Sequence, residues 1–252
     1  MLTRDYRVAA YANHIGEYIK KMRKYEVIYQ DKRSTETTSL KSNGSNMHLT
    51  LRGIDFEGLD FEMLTGEIDE TKFDYEKFED GSGALTNFKI TIKMPLSLFD
   101  ISEKKTFTET LTIHIVVGET ITIKGLDSAI NSLTLSTSFG DFTFTKELEW
   151  MEDVLIGIQK QLPDNIYLKT CLSCKYSNYS PYGNGMFGSI YCFKHLKDDL
   201  KELNGKHDLL DLWTAERVAE GKIFSVQETF DCSEHQIPSK ADWYYKSWSK
   251  IV

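Results

Sequence analysis

Asn87-Phe-Lys-Ile-Thr-Ile-Lys93 and Thr110-Leu-Thr-Ile-His-Ile-Val-Val117 alternate apolar and polar residues with a period of two. Successive side chains of a strand point to opposite faces, so this period marks strands that bury one face. The same alternation, rich in β-branched and aromatic residues, returns at 25–30, 46–52, 120–124 and 141–145. Ser42-Asn-Gly44, Asp80-Gly-Ser-Gly83, Gly118 and Gly125 punctuate the runs. With no helical period between them, six to nine short strands predict an antiparallel sandwich or strongly bent sheet over 25–145.

Helical spacing flanks this region. Tyr11, Ile15, Tyr18, Ile19 and Met22 form one apolar face, which predicts a helix over 1–24 that packs on the core. Leu148, Met151, Leu155, Ile158 and Leu162 line a second helix, stopped by Pro163. It opens a C-terminal region, 146–252, with further helices expected at 193–203 and 207–220 and a strand at 223–230. The expected fold class is α+β. A helix precedes the antiparallel β domain, and a mixed α/β module built around a four-cysteine metal site follows it, with the whole able to form one unit.

The four cysteines carry that last expectation. Cys171 and Cys174 form a C-x2-C pair, Cys192 follows after seventeen residues, and Cys232 closes the set; none precedes Cys171. Zinc takes four thiolate or imidazole ligands, and C-x2-C supplies two from one turn. Four cysteines holding a structural Zn2+ is the favoured set. A set that uses His195 or His235, each three residues after a cysteine, stays open, as do metal-free thiols. A closed four-ligand site leaves no open position for catalysis and points to scaffolding.

The 252 residues carry a net charge of −8 and are 40% hydrophobic, with 13 Tyr and 14 Phe, a composition that supports a packed core. Eleven acidic residues lie between Asp55 and Asp80, opposed there by Lys72 and Lys77 alone. This charge argues against nucleic acid as the default partner, although Lys169, Lys175, Lys194, Lys197 and Lys201 accompany the cysteines. No run of 18 apolar residues and no apolar leader core occurs, so no membrane association is expected and the expected location is the cytoplasm. Nucleophile-elbow, Walker, dinucleotide-binding and HExxH motifs are missing from the sequence. Tyr182-Gly-Asn-Gly-Met-Phe-Gly188 lacks the Lys-Ser/Thr of a phosphate loop and reads as a tight turn. Gly53-Ile-Asp-Phe-Glu57 and Gly58-Leu-Asp-Phe-Glu62 repeat once, too few copies for a solenoid.

The block from Cys171 to Gly188, then Tyr191-Cys-Phe-Lys194 and Val226 to Cys232, together with Leu51 to Glu62 and Gln161 to Lys169, resembles a bacterial family of uncharacterised proteins, domain of unknown function 6304. The resemblance implies a zinc site and a single architectural unit over most of the chain from about Val27. It implies no reaction.

Two functions follow as expectations. One is a non-enzymatic, cytosolic protein-binding protein, most concretely an immunity protein that neutralises an interbacterial toxin by occlusion. Glu67, Asp69, Glu70, Asp74 and Glu76 would then face a basic toxin domain. The other is a zinc-dependent, hydrolase-like enzyme with dispersed catalytic residues, for which Glu228, Glu234 and His235 are the candidates.

Overall fold

The computed structural model describes residues 22–121, 125–145, 150–183, 185–239 and 242–250. The helix expected over 1–24 lies almost wholly outside them. Among the described residues no helix precedes the sheet, and Arg23 and Lys24 already stand in its first strand.

Strands β1 (Arg23–Asp31), β2 (Thr35–Ser42), β3 (Met47–Leu51), β4 (Ile54–Gly58), β5 (Thr65–Gly66), β6 (Asp74–Lys77), β7 (Gly83–Thr86), β8 (Phe88–Asp100), β9 (Lys105–Ile121), β10 (Gly125–Thr137) and β11 (Gly140–Phe144) join one antiparallel sheet in the order β11-β10-β9-β8-β1-β2-β3-β4-β5-β7-β6. A twelfth strand, β12 (Ile166–Leu168), adds to the far end of β8. The sheet curls so strongly that β7, near one edge, runs through Asn87 (φ 58°) directly into β8 in its middle.

The alternation of period two explains this sheet. Phe88, Ile90, Ile92, Met94, Leu96 and Leu98 are buried while Lys89 and Lys93 face out, and Leu111, Ile113, Ile115 and Val117 repeat the pattern on β9. Pro95 falls where β8 changes partner on one edge, after β1 ends at Lys93 and before β12 begins at Leu98. A residue without an N–H is tolerated at such a gap. Gly118, expected to separate two strands, lies inside the single long β9.

The curl is fastened at the β3–β4 hairpin. Arg52 (φ 47°) and Gly53 (φ 78°) are the two left-handed residues of a tight hairpin turn. From this turn Arg52 reaches Asp31 through two bonds of 2.7 Å, Ser34 Oγ at 2.7 Å and the Lys72 carbonyl at 2.5 Å. Its guanidinium lies 4.7 Å above the Phe73 ring, and Phe73 packs edge-on against Tyr29 and Phe56. One side chain thus ties three separate turns over the aromatic core.

The C-terminal region packs directly on the large sheet. Helix α1 (Met151–Gln159) packs on β10 and β11. Gly157 allows this approach, because a Cβ there would collide with the Phe144 ring. Strands β13 (Ser177–Tyr179), β14 (Ile190–Cys192) and β15 (Phe224–Val226) form a small second sheet. Leu172, Tyr179, Phe187, Ile190, Val226 and Trp248 belong to the same continuous core as the large sheet. A smaller cluster of Phe193, Leu196, Leu203, Leu209, Leu212 and Ile223 fills the space beneath the short helices α2 (Lys197–Lys201), α3 (Lys206–Leu212) and α4 (Ala215–Ala219). The architecture is predominantly β, and apolar packing joins its C-terminal part to the rest. No described helix is long and apolar enough to cross a membrane.

Candidate functional site: the thiol cluster and its surroundings

Cys171 and Cys174 open a loop that is fixed from several sides. The Cys174 amide donates to the Cys171 carbonyl at 3.2 Å, and the Cys171 and Leu172 amides donate to the Phe230 and Glu228 carbonyls. Ser177 Oγ donates toward the Cys171 and Cys174 carbonyls, and Ser177 stands opposite Cys192 in the β13–β14 register. The strip after β15 thereby brings Cys232 to the loop that holds the first pair. Cys171, Cys174 and Cys192 are buried and Cys232 half-buried; all four are free.

The thiols sense one another. Burial pushes the Cys171 thiol well up, and Cys192, Cys174 and Cys232 push it the same way. Burial raises Cys192 to about 12 against the amide of Lys194, which lowers it. Burial and Cys174 raise Cys232 against the amide of Glu234. In both cases the amide two residues downstream favours the thiolate. As free thiols, Cys171, Cys192 and Cys232 are protonated at neutral pH and poor nucleophiles. The expected assembled metal centre is not present in the geometry: among the described residues no group of three or more His, Cys, Asp or Glu side chains is placed to hold a metal ion.

The buried Lys246 donates from Nζ to the Cys174 carbonyl and, at 2.8 Å, to Ser177 Oγ. Burial lowers it to about 8, and nearby Cys174 and Glu152 oppose that shift. The aromatic tail packs onto the body, with Trp248 fully buried and its indole N–H on the Tyr167 hydroxyl at 2.7 Å.

The histidines and acids near the cysteines separate in space. His235 Nε2 lies 3.0 Å from Ser173 Oγ, which is fully buried and bonded to the Leu168 and Thr170 backbone. Burial lowers His235 to about 4. The His195 ring packs 6.3 Å from Phe224. Glu234 bridges Lys194 and Lys197 on the surface. Glu228 is fully buried and accepts from the Gly188 amide at 2.6 Å, the Ser189 amide at 3.2 Å and the Tyr179 hydroxyl at 3.4 Å. Asp60, also buried, accepts from the Phe187 amide at 3.2 Å. Three consecutive amides of the glycine-rich loop are thus held by two carboxylates from distant segments. No sequence motif marks this clasp; the three glycines and the two acids are its trace.

The clasp carries a pH signature. Burial raises Glu228 to about 7 despite the amides that hold its charge. Burial, followed by the charge of Glu62, raises Asp60 well above the carboxylate range. A carboxyl with a raised folded-state pKa stabilises the fold fully below its unfolded value near 4.5, and that contribution is lost as pH rises through the folded value. Stability should therefore fall between about pH 4.5 and 7. Glu228→Gln should flatten the slope in urea titrations across that range, and an unchanged slope would remove Glu228 as its source.

The five expected partner-facing acids are placed unevenly. Asp69 pairs with Lys72, Glu70 with Lys77, and Asp74 with both Lys32 and Arg33. Glu76 stands opposite Ala84 in the β6–β7 ladder, and Glu67 is exposed. Much of the charge legible in the sequence is internally compensated.

These features define a curled antiparallel-sheet protein with a buried cluster of free thiols at its C-terminal end. The chain belongs to the family of unknown function DUF6304, whose profile matches residues 23–177. The match spans the large sheet, α1 and the C-x2-C pair and ends before Cys192 and Cys232. No curated protein and no solved structure matches the chain.

Proposed function

We propose that this protein acts by contact, as a non-enzymatic binding protein, and most specifically as a cytosolic immunity protein that covers the active site of an interbacterial toxin. The observation that carries this reading is the dispersal of the acid–base candidates. Glu228 is sealed inside and committed to backbone amides, Glu234 is tied to two lysines, and His235 meets a serine that solvent does not reach. General acid–base chemistry needs such groups converging on one accessible point. The hydrolase reading has no such convergence to support it.

A structural Zn2+ on Cys171, Cys174, Cys192 and Cys232 belongs to the same proposal. Four sulfur donors suit zinc rather than calcium or magnesium. Downstream amides favour the thiolates of Cys192 and Cys232, and a buried ammonium borders the loop. Binding would draw the sulfurs together and deprotonate them.

The function is tested by looking for a secreted toxin domain among the genes adjacent to this one and mixing that domain, purified, with the protein. The expected result is a stoichiometric complex in which toxin activity is lost. Full toxin activity in the presence of excess protein would overturn the reading.

A further inference from the structure

Asparagine stands directly before glycine at Asn43-Gly44, Asn184-Gly185 and Asn204-Gly205. This pair is chemically labile at neutral pH. The glycine nitrogen can attack the asparagine side-chain carbonyl, and glycine has no side chain to block the approach. What holds the two groups decides whether the attack occurs, and the fold holds them differently at 43 and 204. Asn184 lies outside the described residues.

Asn43 and Gly44 are locked. Asn43 Oδ1 accepts from the Ser45 amide at 2.9 Å and the Asn46 amide at 2.8 Å. The Gly44 amide donates to the buried Ser42 Oγ at 3.0 Å, and its carbonyl accepts from the Gln227 amide. Gly44 has a φ of 95° and lies so close to Phe230 that a Cβ would collide with the ring. The nitrogen that would have to attack is therefore bonded to a serine and fixed in place.

Asn204 and Gly205 are open. Asn204 is exposed in the link between α2 and α3. Its Nδ2 donates to the Glu202 carbonyl at 2.8 Å and its amide to Asp208 Oδ2 at 2.6 Å. Gly205 is extended, with φ −170° and ψ 176°. Apart from its chain neighbours, no atom lies within 4 Å of where a Cβ would stand. Among the described residues the Gly205 amide finds no acceptor.

We infer that Asn204 is a site of spontaneous backbone modification, to which the folded chain is open at 204 and closed at 43. Solvent takes the proton of the Gly205 amide, and the nitrogen bonds to Asn204 Cγ. The Cγ–Nδ2 bond breaks, and ammonia leaves with a proton returned by solvent. Water then opens the cyclic imide at either carbonyl, giving aspartate or isoaspartate. Both products place a new carboxylate at 204, next to the acid that holds the amide of the same residue. Isoaspartate also adds a methylene to the main chain just before α3, between Leu203 and Leu209 of the smaller apolar cluster. Its free carboxylate is a substrate for methyl transfer from S-adenosylmethionine. The site is independent of the contact-acting reading.

The test ages the full-length wild-type protein at neutral pH and follows each asparagine by peptide mass mapping. Asn204 should convert at least tenfold faster than Asn43, and the product should accept methyl groups from an isoaspartate-specific methyltransferase. In urea, where no fold protects Asn43, the two rates should converge. Gly205→Ala, placed in a conformation that any residue adopts, should slow the conversion of Asn204 at least tenfold while thermal unfolding stays unchanged. Amide exchange across 203–213 should rise in the aged wild type and not in the aged variant. Conversion of Asn43 as fast as that of Asn204 in the folded chain, a rate ratio unchanged by urea, or an Asn204 indifferent to Gly205→Ala would overturn the inference.

Discussion

Replacing Arg52 with alanine is expected to cost about 3 kcal/mol, because it takes the forked cation from a largely buried carboxylate and leaves that charge to the Arg33 and Ser34 amides. Asp31 has a side chain only 3% exposed, and both its oxygens face the Arg52 guanidinium. Truncation also leaves the Lys72 carbonyl without that donor and strips a cation from the Phe73 face. At about 2–4 °C per kcal/mol for a chain of this size, the melting temperature should drop by about 10 °C. Lysine at the same place keeps the charge and loses the forked geometry, so it should recover only part of the loss. Burial alone would raise Asp31, but its bonds from Arg52, Ser34 and Arg33 bring it down to about 2. A depressed carboxylate contributes stability above its unfolded pKa near 3.8, lost as pH falls through the folded value. The wild type should weaken between about pH 4 and 2, and Asp31→Asn should reduce that acid sensitivity. A melting temperature for Arg52→Ala within two degrees of wild type would show that the curl is held elsewhere.

The double substitution of Cys171 and Cys174 by serine is expected to abolish zinc binding and to loosen the C-terminal part of the chain. Removing two of four donors leaves too few thiolates for a structural site, and the free energy of zinc binding is coupled directly to folding. Zinc content should fall from one ion per chain to none. Protection from amide exchange should fall across 171–180, 190–195 and 225–235, while β8 and β9 keep theirs. A strong chelator applied to the wild type should reproduce the pattern. If the wild type as purified binds no zinc and the double variant melts within a degree of it, the thiols are packing groups and the zinc proposal is wrong.

Local periodicity made much of the large sheet legible. The inward-facing residues of β8 and β9 follow directly from alternation, and the Ser42–Gly44 and Asp80–Gly83 turns fall where turn chemistry puts them. Strand β2 was harder to see, because Thr35–Ser42 is almost entirely polar and is held by its neighbours β1 and β3. In the glycine repeat the first copy became β4, whereas the second turns into a short 3-10 helix at Phe61–Met63. Closely similar local sequence yielded to different tertiary surroundings. The helix expected over 193–203 shortened to α2, and Thr214 caps a new helix inside the one expected over 207–220.

The candidate site was legible in composition and not in geometry. Four cysteines announced a common region, but spacing does not say how closely their sulfurs approach. Glu228 stood near Cys232 in sequence and so looked available for chemistry. Its amide partners come from forty residues upstream, and only the fold shows that its charge is already committed. The ion pairs of Asp74 with Lys32 and Arg33 join turns some forty residues apart in the same way.

Strand β1 lies between β2, its immediate successor, and β8, which is synthesised only after six other strands. While the chain leaves the ribosome, β1 through β7 can pair among themselves, yet one side of β1 keeps its amides and carbonyls bare until Phe88 and the residues after it emerge. A bare edge of this kind recruits other chains. Slow translation just ahead of β8 should therefore lower the soluble yield of the wild-type chain, and an early-binding chaperone should restore it.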